Sequence, residues 1–476
     1  MTPRHPFGAA NWDASAEPWV ASVMTSPPPI CDAHLSILEA SRRMAGHRAI
    51  LIRTPNGYGI VTDSDLRRRV LAEGWSSERP IADAMTFPVR VVTPDRAVDD
   101  VALEMLEMGI HHLPVVDKDA VVGMVSDLEL LDLQRQTPFA VRHKIDLART
   151  PQELAAVGRA FPRAAVDLWR AGVDAAHVGL WLSALTDRLT VRLLDAELDR
   201  LGPAPVEWAW LTLGSVGRRE QALTADQDHA LIYTNEGETH DDYFGALAEG
   251  VVSALAAAGF PECESRVMST EPGWRMSLEL WLARLDQWML EPDLQHSFLS
   301  GIMFDYRQIA GPLDVIPELN QRTAKAASNP HFIKRMGRLA LAHQSPLGML
   351  DRLRHAAGAR GRVLDVKETG LFPTTEMART LALRLGVSAP STLERLRRVA
   401  EDPEWLEAGT SLTQVFKAMQ QVRFQHQARQ FDAGLPPDDL VMPEELDRLN
   451  RLHLKDSFRV LRSTLDQCAY RLELGP

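Results

Sequence analysis

The most regular hydrophobic pattern in the chain runs from Ala175 to Leu201, where Val178, Trp181, Leu182, Leu185, Leu189, Leu193 and Leu194 recur at three- and four-residue steps. That spacing aligns them on one stripe of a helix, and Gly202-Pro203-Ala204-Pro205 closes it. The same period predicts helices over residues 243–258, 274–290 and 454–474, the last with a stripe of Phe458, Leu461, Leu465, Cys468 and Leu472. Two short, mainly apolar runs, 208–213 and 230–233, have the length of buried strands instead. A third run, 302–309, also suits a strand and sets Asp305 among apolar neighbours. Helices and strands alternate irregularly, which predicts an α+β multidomain protein.

Toward the N-terminus the pattern repeats itself. Residues 1–18 are aperiodic and read as a loose tail. Then Val23-Met24-Thr25 recurs as Ala84-Met85-Thr86, and Gly59-Ile60-Val61-Thr62 recurs as Gly123-Met124-Val125-Ser126. Each copy carries a helical stretch, a strand, a turn, a second strand and a closing helix. A β-α-β-β-α unit of this size cannot bury both faces of its sheet alone, so the two copies should pack together. The adjacent His111 and His112 invite a metal reading, yet no Asp, Glu or Cys stands at ligand spacing, so a loop or cleft-lining role is expected.

On the Met-Thr near each start and the Gly-h-h-[TS]-x-x-[DE] near each end, residues 19–136 resemble a pair of CBS domains. The resemblance implies a homodimer formed through the pair and adenine nucleotides bound in the cleft between copies. It assigns phosphate and ribose contacts to Thr62 and Asp65 in the first copy. Ser126 and Glu129 take those places in the second, where Glu129 replaces the family's usual Asp.

Composition then narrows the rest. A chain of 476 residues calls for two to four domains. The net charge of −12 argues against a protein that holds nucleic-acid backbone, so nucleic acid is an unlikely partner. Cys31, Cys263 and Cys468 form no C-x-x-C pair and suggest a reducing compartment. No run of eighteen apolar residues and no secretory h-region is visible. The expectation is a cytoplasmic protein without a membrane span, divided as CBS copies at 19–76 and 79–136, a helical linker at 137–204, an α/β domain at 205–325 and a helical domain at 326–476.

The chemistry concentrates after the first apolar run. Gly214-Ser215-Val216-Gly217-Arg218-Arg219-Glu220 is followed, five residues later, by Asp226-Gln227-Asp228. A Gly-Ser turn opening a helix leaves backbone N–H groups for phosphate. Carboxylates at i and i+2 of a strand share a face and can grip one cation. Arg218 is placed to neutralise phosphate charge. Mg²⁺ held by a few carboxylates and substrate phosphates serves in-line phosphoryl displacement, and Asp305 is the candidate third acid.

These motifs, with Phe304-Asp305-Tyr306-Arg307 and Asp365-Val366-Lys367-Glu368-Thr369-Gly370-Leu371, resemble the DNA polymerase β-like nucleotidyltransferase superfamily. Among its members they look most like bacterial proteins related to the PII uridylyltransferase, and the likeness runs from about residue 140 onward. It implies that Gly214 and Ser215 hold a nucleoside triphosphate, that Asp226 and Asp228 bind Mg²⁺, and that Lys367 approaches the triphosphate from the helical domain. The expected activity is transfer of UMP or AMP to a protein acceptor, regulated by adenine nucleotide at the CBS pair. A nucleotide-sensing regulator that no longer reacts and a tRNA nucleotidyltransferase are the alternatives.

Overall fold

The computed structural model describes residues 19–118, 120–127, 138–290, 301–342, 356–358 and 361–474. They fall into two compact units that divide between residues 140 and 141.

The first unit begins with β1 (Ile30–Asp32), α1 (Ile37–Arg43), β2 (Ala49–Thr54) and β3 (Gly57–Thr62), and continues with α2 (Val98–Met108), β4 (His112–Asp117) and β5 (Ala120–Ser126). In the first sheet β2 is central, parallel to β1 and antiparallel to β3, while β4 and β5 form an antiparallel hairpin. Ile50 and Ile52 of β2 pack against Ile37 and Ala40 of α1, whereas Ala49 and Leu51 pack with Ile60 and Met124. Both faces of β2 are therefore covered, which is why it reads as an unbroken apolar run.

The two copies interlock. Thr25, from the Met-Thr that opens the first copy, exchanges main-chain hydrogen bonds with Met124 in β5 of the second, at 2.8 and 3.2 Å. Thr86, which opens the second copy, does the same with Ile60 in β3 of the first, at 2.9 and 3.0 Å. Each methionine rests on the other copy's strand glycine: a Cβ on Gly123 would meet Met24 Sδ at 2.8 Å, and one on Gly59 would meet Met85 Sδ at 2.5 Å.

Past the helix Pro138–Leu147, the second unit continues with α3 (Pro151–Gly158), α4 (Phe161–Arg170) and α5 (Ala175–Leu201), the last matching its predicted bounds. They are followed by β6 (Trp208–Thr212), α6 (Gly214–Gly217), β7 (His229–Tyr233), α7 (Asp241–Ala257), β8 (Arg275–Ser277), α8 (Leu278–Leu290) and β9 (Arg307–Ala310). The sheet order is β8-β7-β6-β9, with only the β7–β8 pair parallel. The helices expected as a separate linker are part of this unit. Thr186 of α5 donates to Gln221 Oε1 at 2.8 Å, and a Cβ on Gly158 of α3 would stand 2.8 Å from that of Ala258. The predicted helix 274–290 is corrected to a strand, β8, turning into α8. Trp274 packs edge-on to Trp281 at 5.7 Å, and the apolar run could not separate the two elements.

The helical part comprises α9 (Ile316–Ala326), α10 (Pro330–Ala342), a small sheet of β10 (Ala356–Gly358), β11 (Gly361–Asp365) and β12 (Leu440–Val441), then α11 (Phe372–Arg384), α12 (Thr392–Val399), α13 (Leu406–Asp432) and α14 (Arg448–Arg471). One core runs from Leu211 and Ile232 in the sheet through Met377 and Leu412 to Phe458 and Leu461, so the domains expected at 205–325 and 326–476 share it. No helix among the described residues is long and apolar enough to cross a membrane.

Candidate functional site

The motif folds as β6, a one-turn α6, and an extended segment that enters β7. Leu213 N–H donates to Asp228 O at 2.8 Å and draws the two ends of the motif together. β7 begins at His229, so Asp226 and Asp228 lie just before the strand rather than on it, a correction of the predicted register. The alternation survives, because Gln227 is pinned on its main chain to Pro261 O at 3.1 Å and by its amide to Phe260 O at 2.8 Å. The carboxylates on either side converge with Cys263: one ligand atom from each of the three lies within 4.8 Å of the others.

This crowding shows in the electrostatics. Burial, followed by the neighbouring Asp226 charge, pushes the Asp228 carboxyl up to about 7, while Cys263, Lys367 and Arg218 pull in the opposite direction. Burial and then the Asp228 charge push the Cys263 thiol up to about 12. Gly214 has φ +55°, and a Cβ there would stand 2.2 Å from Asp228 Oδ2, so only glycine lets the main chain sit against this carboxylate. Behind the pair, Ser269 N–H donates to His229 Nδ1 at 3.1 Å, and burial lowers the imidazole to about 3, leaving it neutral.

Asp305 is not the third acid. It lies in the turn before β9, not on the predicted strand, and it is fully buried. Its Oδ1 accepts from Arg395 Nη1 at 2.7 Å and Arg379 Nε at 3.1 Å, while its Oδ2 accepts from Arg218 and Arg379 at 2.5 Å each. Burial alone would raise its pKa, but Arg379, Arg218 and Arg395 together hold it well below the usual carboxylate range. With both oxygens engaged, Asp305 is a hub that ties the motif to α11 and α12. Arg218 is engaged too, since it donates to Glu220 Oε2 at 2.8 Å as well as to Asp305. It borders the site, but two carboxylates already share its charge.

A cleft of about 500 Å³ opens over the Asp pair, within the range of small-molecule sites. Gly214, Ser215, Arg218, Asp226, Asp228 and Cys263 form one side, and Lys367 stands across from them with residues of α11 and α13. Asp365, at the end of β11, accepts from Glu368 N–H at 2.8 Å and shapes the turn that presents Lys367. The charge of Lys367 acts on both Asp228 and Asp439. On α13, Arg423 clasps Asp439 at 2.7 and 2.9 Å and reaches Thr224 at 3.1 Å, while Gln427 Oε1 accepts from Leu223 N–H at 3.1 Å. The loop before Asp226 is thereby fastened to the helical part. Sequence reasoning missed this wall, because its polar residues sit at ordinary helical spacing. It missed Cys263 as well, because no C-x-x-C or histidine accompanies it.

On the helical wall, Glu376 is buried and its Oε2 carries no hydrogen bond among the described residues, while its other oxygen pairs with Arg379; Thr375 and Gln420 border the cleft beside it. Buried polar groups are normally paired, so the free Glu376 oxygen points to a ligand.

Of the nucleotide contacts predicted for the first unit, Thr62 and Asp65 bond to each other. Thr62 Oγ1 donates to Asp65 Oδ2 at 2.7 Å and accepts from Asp65 N–H at 3.2 Å, a reciprocal cap on the helix that follows β3. Ser126 is buried at the end of β5, and Glu129 lies outside the described residues. His111 Nδ1 meets Asp127 Oδ2 at 2.8 Å, a carboxylate partner that spacing did not suggest.

Family models match along most of this architecture. Residues 20–72 and 81–135 match the CBS domain, residues 159–295 match "Putative nucleotidyltransferase DUF294", and residues 330–472 match "Putative nucleotidyltransferase substrate binding domain". The chain carries CBS domains and a DUF294 region. The boundary of the DUF294 match at 159 agrees with α4 and α5 belonging to the second unit. Curated relatives include the Arabidopsis thaliana CBS domain-containing protein CBSCBSPB2, 34% identical over 95 residues. That match spans 19% of this chain and only 18% of the relative's length. The Bacillus subtilis CBS domain-containing protein YhcV is 26% identical over 110 residues, 22% of this chain and 79% of YhcV. Among solved structures, the CBS domain pair of MJ0100 in complex with 5′-methylthioadenosine and S-adenosyl-L-methionine is 28% identical, covering 25% of this chain and 96% of that one, with a TM-score of 0.23.

Proposed function

We propose that the DUF294 region is a Mg²⁺-dependent nucleotidyltransferase that moves a nucleoside monophosphate, UMP or AMP, onto a protein acceptor, under the control of adenine nucleotides at the CBS pair. The observation that carries this reading is the meeting of Asp226 and Asp228 with Lys367 across one cleft. Two convergent carboxylates fit a hard divalent cation, which would neutralise charge on the phosphate under attack. Gly214, Ser215 and Lys367 border the space where a triphosphate would extend, and Thr375 and Gln420 offer the donors and acceptors a base or ribose requires.

In the reaction an acceptor oxygen bonds to the α-phosphorus as the α–β bridging bond breaks. Pyrophosphate leaves with the electron pair, and the acceptor's proton passes to solvent. The net charge of −12 favours a protein over RNA as acceptor. The test is to incubate the full chain with each α-labelled nucleoside triphosphate, Mg²⁺ and cell lysate. Wild type should label a protein band, and Lys367→Ala and the Asp226→Asn/Asp228→Asn double variant should not. Nucleotide binding without transfer from any of the four triphosphates would favour a silent sensor. Label retained by the double variant would remove the site assignment.

A further inference from the structure

The acid pair is accompanied by a ligand that magnesium does not favour. Mg²⁺ takes oxygen ligands, whereas thiolate sulfur selects softer ions such as Zn²⁺. Cys263 is buried, and its sulfur belongs to the same group of ligand atoms as the two carboxylates. Its placement is built into the fold. Gln227, the residue between the two acids, donates from its main chain to Pro261 O and from its amide to Phe260 O, so one side chain fixes both the acids and the loop that brings the sulfur. Arg266 N–H closes that loop on Cys263 O at 2.9 Å. A second observation points to a ligand in the same cleft: Glu376, 4% exposed, borders it with an Oε2 that has no hydrogen-bond partner among the described residues.

We infer that Asp226, Asp228 and Cys263 form a mixed oxygen–sulfur site that takes a thiophilic divalent cation, Zn²⁺ being the type, with Cys263 Sγ as a direct ligand. The inference rests on the reading of the Asp pair as a metal site. On binding, the thiol proton passes to solvent and a sulfur–metal bond forms, with no change of oxidation state. Zn²⁺ and Mg²⁺ then compete for the two carboxylates, and the identity of the cation governs the cleft.

Co²⁺ substitutes for Zn²⁺ and reports sulfur ligation through a near-ultraviolet charge-transfer band. Metal-free full-length protein titrated with Co²⁺ should develop this band, and Zn²⁺ should bleach it. The band should vanish in Cys263→Ser and in Cys263→Ala, while Cys31→Ser and Cys468→Ser retain it. By calorimetry, loss of the sulfur should weaken Co²⁺ and Zn²⁺ binding by about tenfold or more and leave Mg²⁺ binding little changed. The wild-type titration decides the question even if a cysteine variant fails to fold. Co²⁺ binding that depends on Asp226 and Asp228 but gives no band overturns the inference and leaves the metal-site reading standing. An absence of Mg²⁺, Mn²⁺ and Co²⁺ binding in wild type overturns both.

Discussion

Replacing Asp228 with Asn should abolish cation binding yet stabilise the metal-free protein at neutral pH. The carboxyl titrates near 7 in the folded chain instead of near 3.8, chiefly because it is buried and secondarily because Asp226 is charged beside it. A group with a raised folded pKa binds its proton more tightly when folded. Between roughly pH 4 and pH 7 the folded state therefore carries more protons than the unfolded one, and stability falls as pH rises through that window. Three pH units at 1.36 kcal/mol each put the ceiling of this cost at about 4 kcal/mol above pH 7. Asn has no charge to bury, so Asp228→Asn should flatten the slope. The assay is urea unfolding of the full chain in EDTA at pH 5, 6, 7 and 8, followed by tryptophan fluorescence, to which Trp208, Trp210, Trp274 and Trp281 contribute from the unit that holds the site. Wild type should lose stability across the series and the variant should lose much less. Parallel curves for the two proteins would refute the reasoning, because the carboxylate would then be as well solvated in the fold as out of it.

Asp305→Asn removes the charge shared by the buried Arg379 and Arg395 and the half-buried Arg218, and breaking such a cluster costs about 3–5 kcal/mol. The measurement is again urea unfolding, and near-normal stability with lost Mg²⁺ affinity would return Asp305 to the role of metal ligand. Gly214→Ala puts a methyl against Asp228 Oδ2 at a positive φ, and calorimetry should show Mg²⁺ affinity reduced by about tenfold or more, since a 1.4 kcal/mol displacement of the ligand suffices. Gln420→Ala should leave tripolyphosphate binding intact but cut the preference for one nucleoside triphosphate by about tenfold, the worth of one good hydrogen bond. Unchanged discrimination in competition binding would place the base elsewhere.

Much of this site was legible because its signal is local. The strand–turn–acids order of residues 208–233 needs only neighbouring positions, and α5 and the stripe of α14 were visible from periodicity alone. What failed was whatever depends on distant partners. Phe304-Asp305-Tyr306-Arg307 looks like a strand carrying an acid, and only the arrival of Arg379 and Arg395 from α11 and α12 shows that the acid is spent. Cys263 carries no motif, since its meaning comes from a loop that Gln227 folds back on the acids. The domain division at 204 followed a Gly-Pro break that ends a helix without ending a core.

The exchange of Met-Thr segments between the two N-terminal copies has a consequence for how such a chain can change. Each copy completes its sheet with an edge that begins the other, so neither half is a self-sufficient part. Deleting the first would strip β5 of the pairing supplied by Thr25, and deleting the second would strip β3 of Thr86. The smallest piece that can be transplanted, duplicated or lost without leaving an open sheet edge is the pair. Recombination that cuts at the apparent repeat boundary should yield aggregating fragments, whereas cuts outside residues 20–135, the span of the two CBS matches, leave the module whole.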